Sequence, residues 1–266
     1  MLRFVVSVGF VLGCVSGAPA QDWAKAKLEK SPRHGEWVKL KTGPREVKSF
    51  VTYPEVKDKA TAVVVIHEIF GLTDWVRLVC DQLSEAGYIA IAPDLLSGTG
   101  PNGGGTDSYK GGDDVRKAIL SLAADQITGD MNAATEYVAK LPSSNGKVAV
   151  SGFCFGGSQT FRYATNNPAI KAAFVFYGTG PEAETEIKKI ACPVYGFYGG
   201  NDARVNMTIP KSQELTKAAG KTYEPVTYEG AGHGFMRAGE DPMGNEANKK
   251  AKDEAWKRWK ELLKKI

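Results

Sequence analysis

The chain has 266 residues, 42% of them hydrophobic and 24% charged, with a net charge of +4. This is ordinary globular composition, with enough chain to bury one sizeable core. Residues 1–20 contribute Arg3 alone, so a chain starting at residue 21 carries +3, too weak an excess to indicate a nucleic-acid partner.

In chain order, the first twenty residues read as a targeting segment. Met1-Leu-Arg3 is a short basic start, and Phe4 to Val15 is an apolar run too short to span a bilayer. Ala18-Pro-Ala20 closes it with small residues, which predicts export with cleavage before Gln21. Val11-Leu-Gly-Cys14 is a rival signal that would lipidate Cys14 and anchor an exported lipoprotein. Residues 21–35 are charged and weakly periodic and are expected to form a loose leader to a domain spanning 36–266. Glu36–Leu40 and Val47–Tyr53 alternate like an antiparallel strand pair. Ala62–Ile66 and Tyr88–Ala92 are continuous apolar runs of the kind that buried strands require. Between them Trp75, Leu78, Val79 and Leu83 recur at helical spacing over 74–86, with Gly87 as the stop.

Residues 97–106 are glycine-rich and read either as a floppy surface loop or as a mobile rim. Helical patterning over 113–139 breaks near Gly129. Strands are expected at 147–152, 172–177, 194–198 and 223–228, and helices at 158–165, 209–219 and 247–263. The last carries Trp256, Trp259, Leu262 and Leu263 among lysines, an amphipathic helix with a solvated face. Strand and helix alternate through most of the length, which predicts an α/β fold with a mostly parallel central sheet and helices on both faces.

Lys147-Val-Ala-Val-Ser-Gly-Phe-Cys-Phe-Gly-Gly157 carries the chemistry. A β-branched run leads into Gly-x-Cys-x-Gly, the pattern of the strand-turn-helix elbow of α/β-hydrolases with a thiol in place of the usual hydroxyl. A Cβ at Gly152 or Gly156 would crowd so tight a turn. The start of the following helix favours a thiolate at Cys154. An isolated cysteine is more often a packed core residue, as Cys80 and Cys192 are expected to be. Here the candidate partners follow in the order nucleophile, acid, histidine. Asp202 follows the strand at 194–198, and His233, between Gly232 and Gly234, follows the strand at 223–228. Each sits just past a strand's C-terminal end, where open α/β sheets bind ligands. Removing the targeting segment takes Cys14 from the four cysteines and leaves Cys80, Cys154 and Cys192, an odd number, so a monomer would keep a free thiol. Neither a metal-ligand spacing nor a phosphate-binding loop is present, and no cofactor is implied.

Taken together, His67-Glu-Ile-Phe-Gly71, Ala92-Pro-Asp-Leu95, Gly152-Phe-Cys-Phe-Gly-Gly157, the Asp202 turn and Gly232-His-Gly-Phe-Met-Arg237 resemble the dienelactone hydrolase family over residues 36–265. The resemblance implies a hydrolase of lactones or carboxylic esters acting through an acyl-enzyme. Cys154 would be the nucleophile, His233 the acid–base and Asp202 the orienter, with an oxyanion hole made by the backbone N–H groups of Ile69 and Phe155. It further implies that Glu68 keeps the thiol neutral at rest and takes its proton when substrate binds. A carboxylate beside a thiolate disfavours the second charge and so raises the thiol pKa, sparing the oxidisable form. His67 reads as structural, beside the oxyanion loop. Arg237 matches one of two arginines that hold a substrate carboxylate in the family. The other is missing, since Asp94-Leu-Leu-Ser-Gly98 has no arginine, and this favours a neutral or larger ester or a different lactone. The expected partner is a small-molecule ester or lactone, with no nucleic acid or stable membrane span and a monomeric chain. A protein of the same fold that binds a ligand without turning it over is the alternative.

Overall fold

A computed structural model describes residues 21–266; the export and lipidation signals lie outside them. Eight strands form one sheet: β1 (Gly35–Thr42), β2 (Arg45–Thr52), β3 (Ala60–Ile66), β4 (Ile89–Pro93), β5 (Ser144–Phe153), β6 (Ala173–Phe176), β7 (Val194–Gly199) and β8 (Tyr223–Tyr228). Their spatial order is β1-β2-β4-β3-β5-β6-β7-β8. β1, β2 and β4 pair antiparallel, and every pair from β4 to β8 is parallel. The helices are α1 (Asp22–Glu29), α2 (Asp74–Glu85), α3 (Gly112–Leu120), α4 (Ala124–Ala139), α5 (Phe155–Ala164), α6 (Glu184–Ile187), α7 (Ala203–Asn206), α8 (Ile209–Ala218), α9 (Phe235–Glu240) and α10 (Glu246–Leu263).

The unbroken apolar run of β3 follows from its place at the sheet centre. Val63 and Val65 enter the core beneath α2, α9 and α10, whereas Ala62, Val64 and Ile66 enter the one beneath α4, α5 and α8. A strand covered on both faces has no polar side to alternate with. Phe153, Phe176 and Trp259 pack ring against ring in the first core, with Phe153 and Phe176 centroids 4.7 Å apart. The amphipathic α10 lays Trp259, Leu262 and Leu263 on the sheet. Cys80 and Cys192 are buried in the two cores.

Three local expectations change. Residues 21–35 are folded onto the domain instead of trailing from it. α1 buries Ala24 against α2, Lys27 pairs with Glu240, and Ser31 and Arg33 both bond Asp81. Eight residues carry too little periodicity to announce a helix that tertiary contacts hold in place. The helical break falls at residues 121–123, and Gly129 lies inside α4, where the Thr42 methyl would be 3.1 Å from an added Cβ. The helix after the elbow begins at Phe155, three residues ahead of the expected start.

The two sheet edges differ from the centre. β1 presents Glu36, Lys39 and Lys41 outward. In β8 the residue paired with Gly196 is Pro225, and the Arg258 guanidinium donates to the carbonyls of Gly196 and Glu224 at 2.9 and 2.8 Å.

Candidate active site

Five parallel strands end on one side of the molecule, and the loops that leave them carry the site. β3 delivers Glu68 and Ile69, β5 delivers Cys154, β6 Tyr177, β7 Asp202 and β8 His233. The elbow is tight because two glycines let backbones touch. A Cβ on Gly152 would lie 2.1 Å from the Gly156 carbonyl oxygen, and one on Gly156 would lie 2.2 Å from that of Ile66. Neither glycine has a positive φ; the left-handed residue is Cys154 itself, at φ 55° and ψ −113°. Such a backbone costs about 1–3 kcal/mol and persists where its surroundings over-determine it. Here the Cys154 N–H is held by the Phe176 carbonyl at 3.0 Å, and α5 starts immediately afterwards.

The three residues expected to act together do meet. His233 Nε2 lies 3.1 Å from Cys154 Sγ, and its Nδ1 lies 2.5 Å from Asp202 Oδ2. Asp202 is buried, and its other oxygen accepts the Val205 N–H at 3.4 Å as the cap of α7. The Asn201 N–H ties the acid loop to the histidine loop by donating to the Ala231 carbonyl at 2.8 Å, and the Gly232 N–H ties the histidine loop to α10 by donating to Asn248 Oδ1 at 2.9 Å. The Tyr177 ring packs edge-on to the imidazole, with centroids 5.1 Å apart.

The thiol is held protonated. Burial first, and then the Glu68 carboxylate, push its pKa up to about 11. The N–H groups of Phe155 and Ile69, and the Arg204 charge, pull the other way without prevailing. The helix start that should favour a thiolate is outweighed by desolvation and a neighbouring negative charge. Glu68, 3% exposed, accepts at Oε2 from the Arg237 Nε–H at 2.7 Å. Arg237 stacks over Phe70 at 5.1 Å, its guanidinium occupied by Glu68.

A cavity of about 400 Å³ opens over the sulfur, lined among others by Ile69, Arg116, Leu120, Phe155, Tyr177 and Arg204. Of these, Arg116, Leu120, Tyr177 and Arg204 were missed in the sequence. Arg204 stands two residues beyond Asp202 and Tyr177 directly follows β6, so both lie on the edge that the strand pattern marks; Arg116 comes from α3, and no motif flags it. Both arginines are exposed, and neither joins an ion pair among the described residues. A larger open groove of about 640 Å³ between α2 and α10 lies away from the triad. Among the described residues, no cluster of His, Cys, Asp and Glu side chains suits a metal, and no helix is long and apolar enough to cross a membrane.

The model of the dienelactone hydrolase family matches residues 47–266. The chain belongs to that family. Its relatives include a protein of Saccharolobus solfataricus that bears the provisional name carboxymethylenebutenolidase; it is 30% identical over 83% of this chain and 95% of its own length. A similarly named protein of Methylorubrum extorquens is 32% identical over 65% of this chain, and the match spans 62% of that relative. Among solved structures, a dienelactone hydrolase, so named provisionally, from Klebsiella pneumoniae superposes with a TM-score of 0.76 at 24% identity, covering 88% of this chain and 99% of that one. The α/β-hydrolase fold, with its mostly parallel sheet and flanking helices, is thus shared by this dienelactone hydrolase family member and its neighbours. The family is one of hydrolases.

Proposed function

We propose that this chain hydrolyses carboxylic esters or lactones through a Cys154–His233–Asp202 triad and a thioester acyl-enzyme. The observation that carries this reading is the continuous contact from sulfur to imidazole to carboxylate, at 3.1 and 2.5 Å, at the floor of an open cavity. His233 Nε2 takes the thiol proton, and the sulfur attacks the substrate carbonyl carbon. The carbonyl oxygen becomes an oxyanion between the N–H groups of Ile69 and Phe155. Collapse breaks the bond to the leaving oxygen, which receives the proton from His233. Water, deprotonated by the same nitrogen, then cleaves the thioester to the acid and restores the thiol. Asp202 holds the imidazole in the tautomer with Nδ1–H and stabilises its charged form. Family resemblance gives Glu68, paired with Arg237 at rest, a further part: it keeps the thiol neutral until substrate binds and is then the alternative acceptor of the thiol proton in place of His233.

The absent arginine after Leu95 favours a neutral or larger ester or a different lactone. Arg116 and Arg204 restore positive charge to the cavity from other positions, so we extend the reading to esters that bear an acidic group. The test is a panel of paired neutral and anionic aryl esters and lactones, assayed on wild type, Cys154→Ala, His233→Ala and Arg204→Gln. Turnover should vanish without the sulfur and fall at least about a hundredfold without the imidazole. Arg204→Gln should lower kcat/KM for the anionic member of each pair more than for the neutral one. Full turnover by Cys154→Ala would overturn the mechanism, and equal losses on both members would remove the role of Arg204. Export is the second part of the proposal and rests on residues 1–20; sequencing the mature N-terminus should find Gln21, and an intact Met1 would refute it.

A further inference from the structure

The oxyanion donor of Ile69 comes from a loop with no helix or strand of its own, residues 67–73 between β3 and α2. Within a planar peptide unit the Glu68 carbonyl and the Ile69 N–H point in opposite directions, so whatever fixes the one aims the other. Two groups fix the carbonyl: the Gly71 N–H at 3.2 Å and His67 Nδ1 at 2.8 Å. The His67 ring is fully buried, and its Nε2 accepts the Leu95 N–H at 3.3 Å. A nitrogen that accepts carries no proton, so the proton sits on Nδ1 and the ring donates to Glu68.

The neighbour of Leu95 grips the far end of the same loop. Asp94 Oδ2 accepts the Thr106 N–H at 2.8 Å, and Oδ1 accepts the Thr106 hydroxyl at 2.7 Å. Thr106 Oγ1 in turn accepts the Leu72 N–H at 3.1 Å. Close approach makes the clamp possible. A Cβ on Gly71 would lie 2.3 Å from Thr106 Oγ1, and one on Gly105 would lie 2.2 Å from Asp94 Oδ2. The glycines beside the clamp thus admit packing, and the stretch at 97–106 is tied down at its end next to the site.

We propose that Thr106 and His67 are positioning residues for the oxyanion hole: anchored by Asp94 and Leu95, they orient the Glu68–Ile69 peptide so that its N–H faces the developing oxyanion. This rests on the hydrolase reading above. Neither side chain touches substrate; each acts through Ile69.

Thr106→Val keeps the shape and removes the hydroxyl, and Thr106→Ser keeps the hydroxyl. Losing an oxyanion donor costs about 10²–10³ in rate, so a misaimed one should lower kcat about ten- to a hundredfold in the valine variant, with KM changed by less than about twofold. The serine variant should recover to within about threefold of wild type. Affinity for a trifluoromethyl ketone, whose carbonyl oxygen becomes an oxyanion when the sulfur adds to its carbon, should fall by the same factor as kcat, whereas an unreactive ether analogue should bind unchanged. A readout without turnover separates this inference from the function itself. The Ile69 N–H favours the thiolate, so alkylation of Cys154 by iodoacetamide should shift to higher pH in the valine variant and return in the serine variant. A valine variant with wild-type kcat and a wild-type alkylation profile overturns the proposal, as does a loss that serine fails to recover. If wild type hydrolyses no ester but the alkylation shift appears, the function falls and the positioning stands. Should the valine variant not fold, Asp94→Asn, which weakens the same clamp, is read by the same two measurements.

Discussion

A thiol at the start of a helix ordinarily ionises with ease, and Cys154 is arranged to resist it. Burial and Glu68 together overcome the two N–H donors and Arg204. Glu68→Gln removes the negative neighbour, so the thiol pKa should fall from about 11 toward its ordinary value. Alkylation by iodoacetamide at pH 8 should then quicken by several-fold. Under the proposed mechanism, ester turnover should drop in the same variant. Alkylation that is unchanged or slower would show that Glu68 does not govern the sulfur. At this scale the sequence was readable where a residue follows a strand: Cys154, Asp202 and His233 each announce themselves by position. It was silent on Arg237 spending its guanidinium on Glu68, because the partners lie 169 residues apart. It was equally silent on Arg116, which a helix carries to the cavity from a stretch with no motif.

Among the elements, the elbow was the most legible, because its geometry leaves the chain no choice of residue. Gly156→Ala would drive a methyl group to 2.2 Å from the Ile66 carbonyl oxygen, so the start of α5 and the end of β3 would have to part. Overpacking of this kind costs about 1–3 kcal/mol, and backbone on both sides leaves little room for relief. Urea unfolding should show a loss at or above that range, and turnover should fall with it as the sulfur is displaced. An alanine variant of wild-type stability would mean that the elbow is looser than drawn. The glycine-rich stretch at 97–106 was less legible. The same composition serves a mobile loop and a closely packed one, and the Asp94–Thr106 contacts that decide between them are long in range. α1 was hidden for a related reason: its order comes from α2, Glu240 and Asp81, not from its own eight residues.

Across the whole molecule, three sulfurs give the fold an alkaline weakness. Cys154 and Cys192 are raised to about 11 mainly by burial, and Cys80, wholly buried, is raised further. An unfolded chain ionises the same thiols near 8.5. Above that pH the unfolded state holds fewer protons than the folded one, so stability declines as pH rises. The melting temperature should be insensitive to these groups below about pH 8 and fall progressively between about pH 9 and 11. Replacing Cys192 with alanine should flatten part of that fall, and an unchanged slope would exclude it as a source. The fold class itself was readable at this scale, because strand and helix alternate and the central strands lack a polar side.

The margins of the sheet carry one more consequence. A second copy seeking to continue the ladder beside β8 meets the pyrrolidine ring of Pro225 where an amide should donate. Beside β1 it meets a picket of lysines. Stacking of strands from molecule to molecule, the first step toward fibres, is obstructed at both ends.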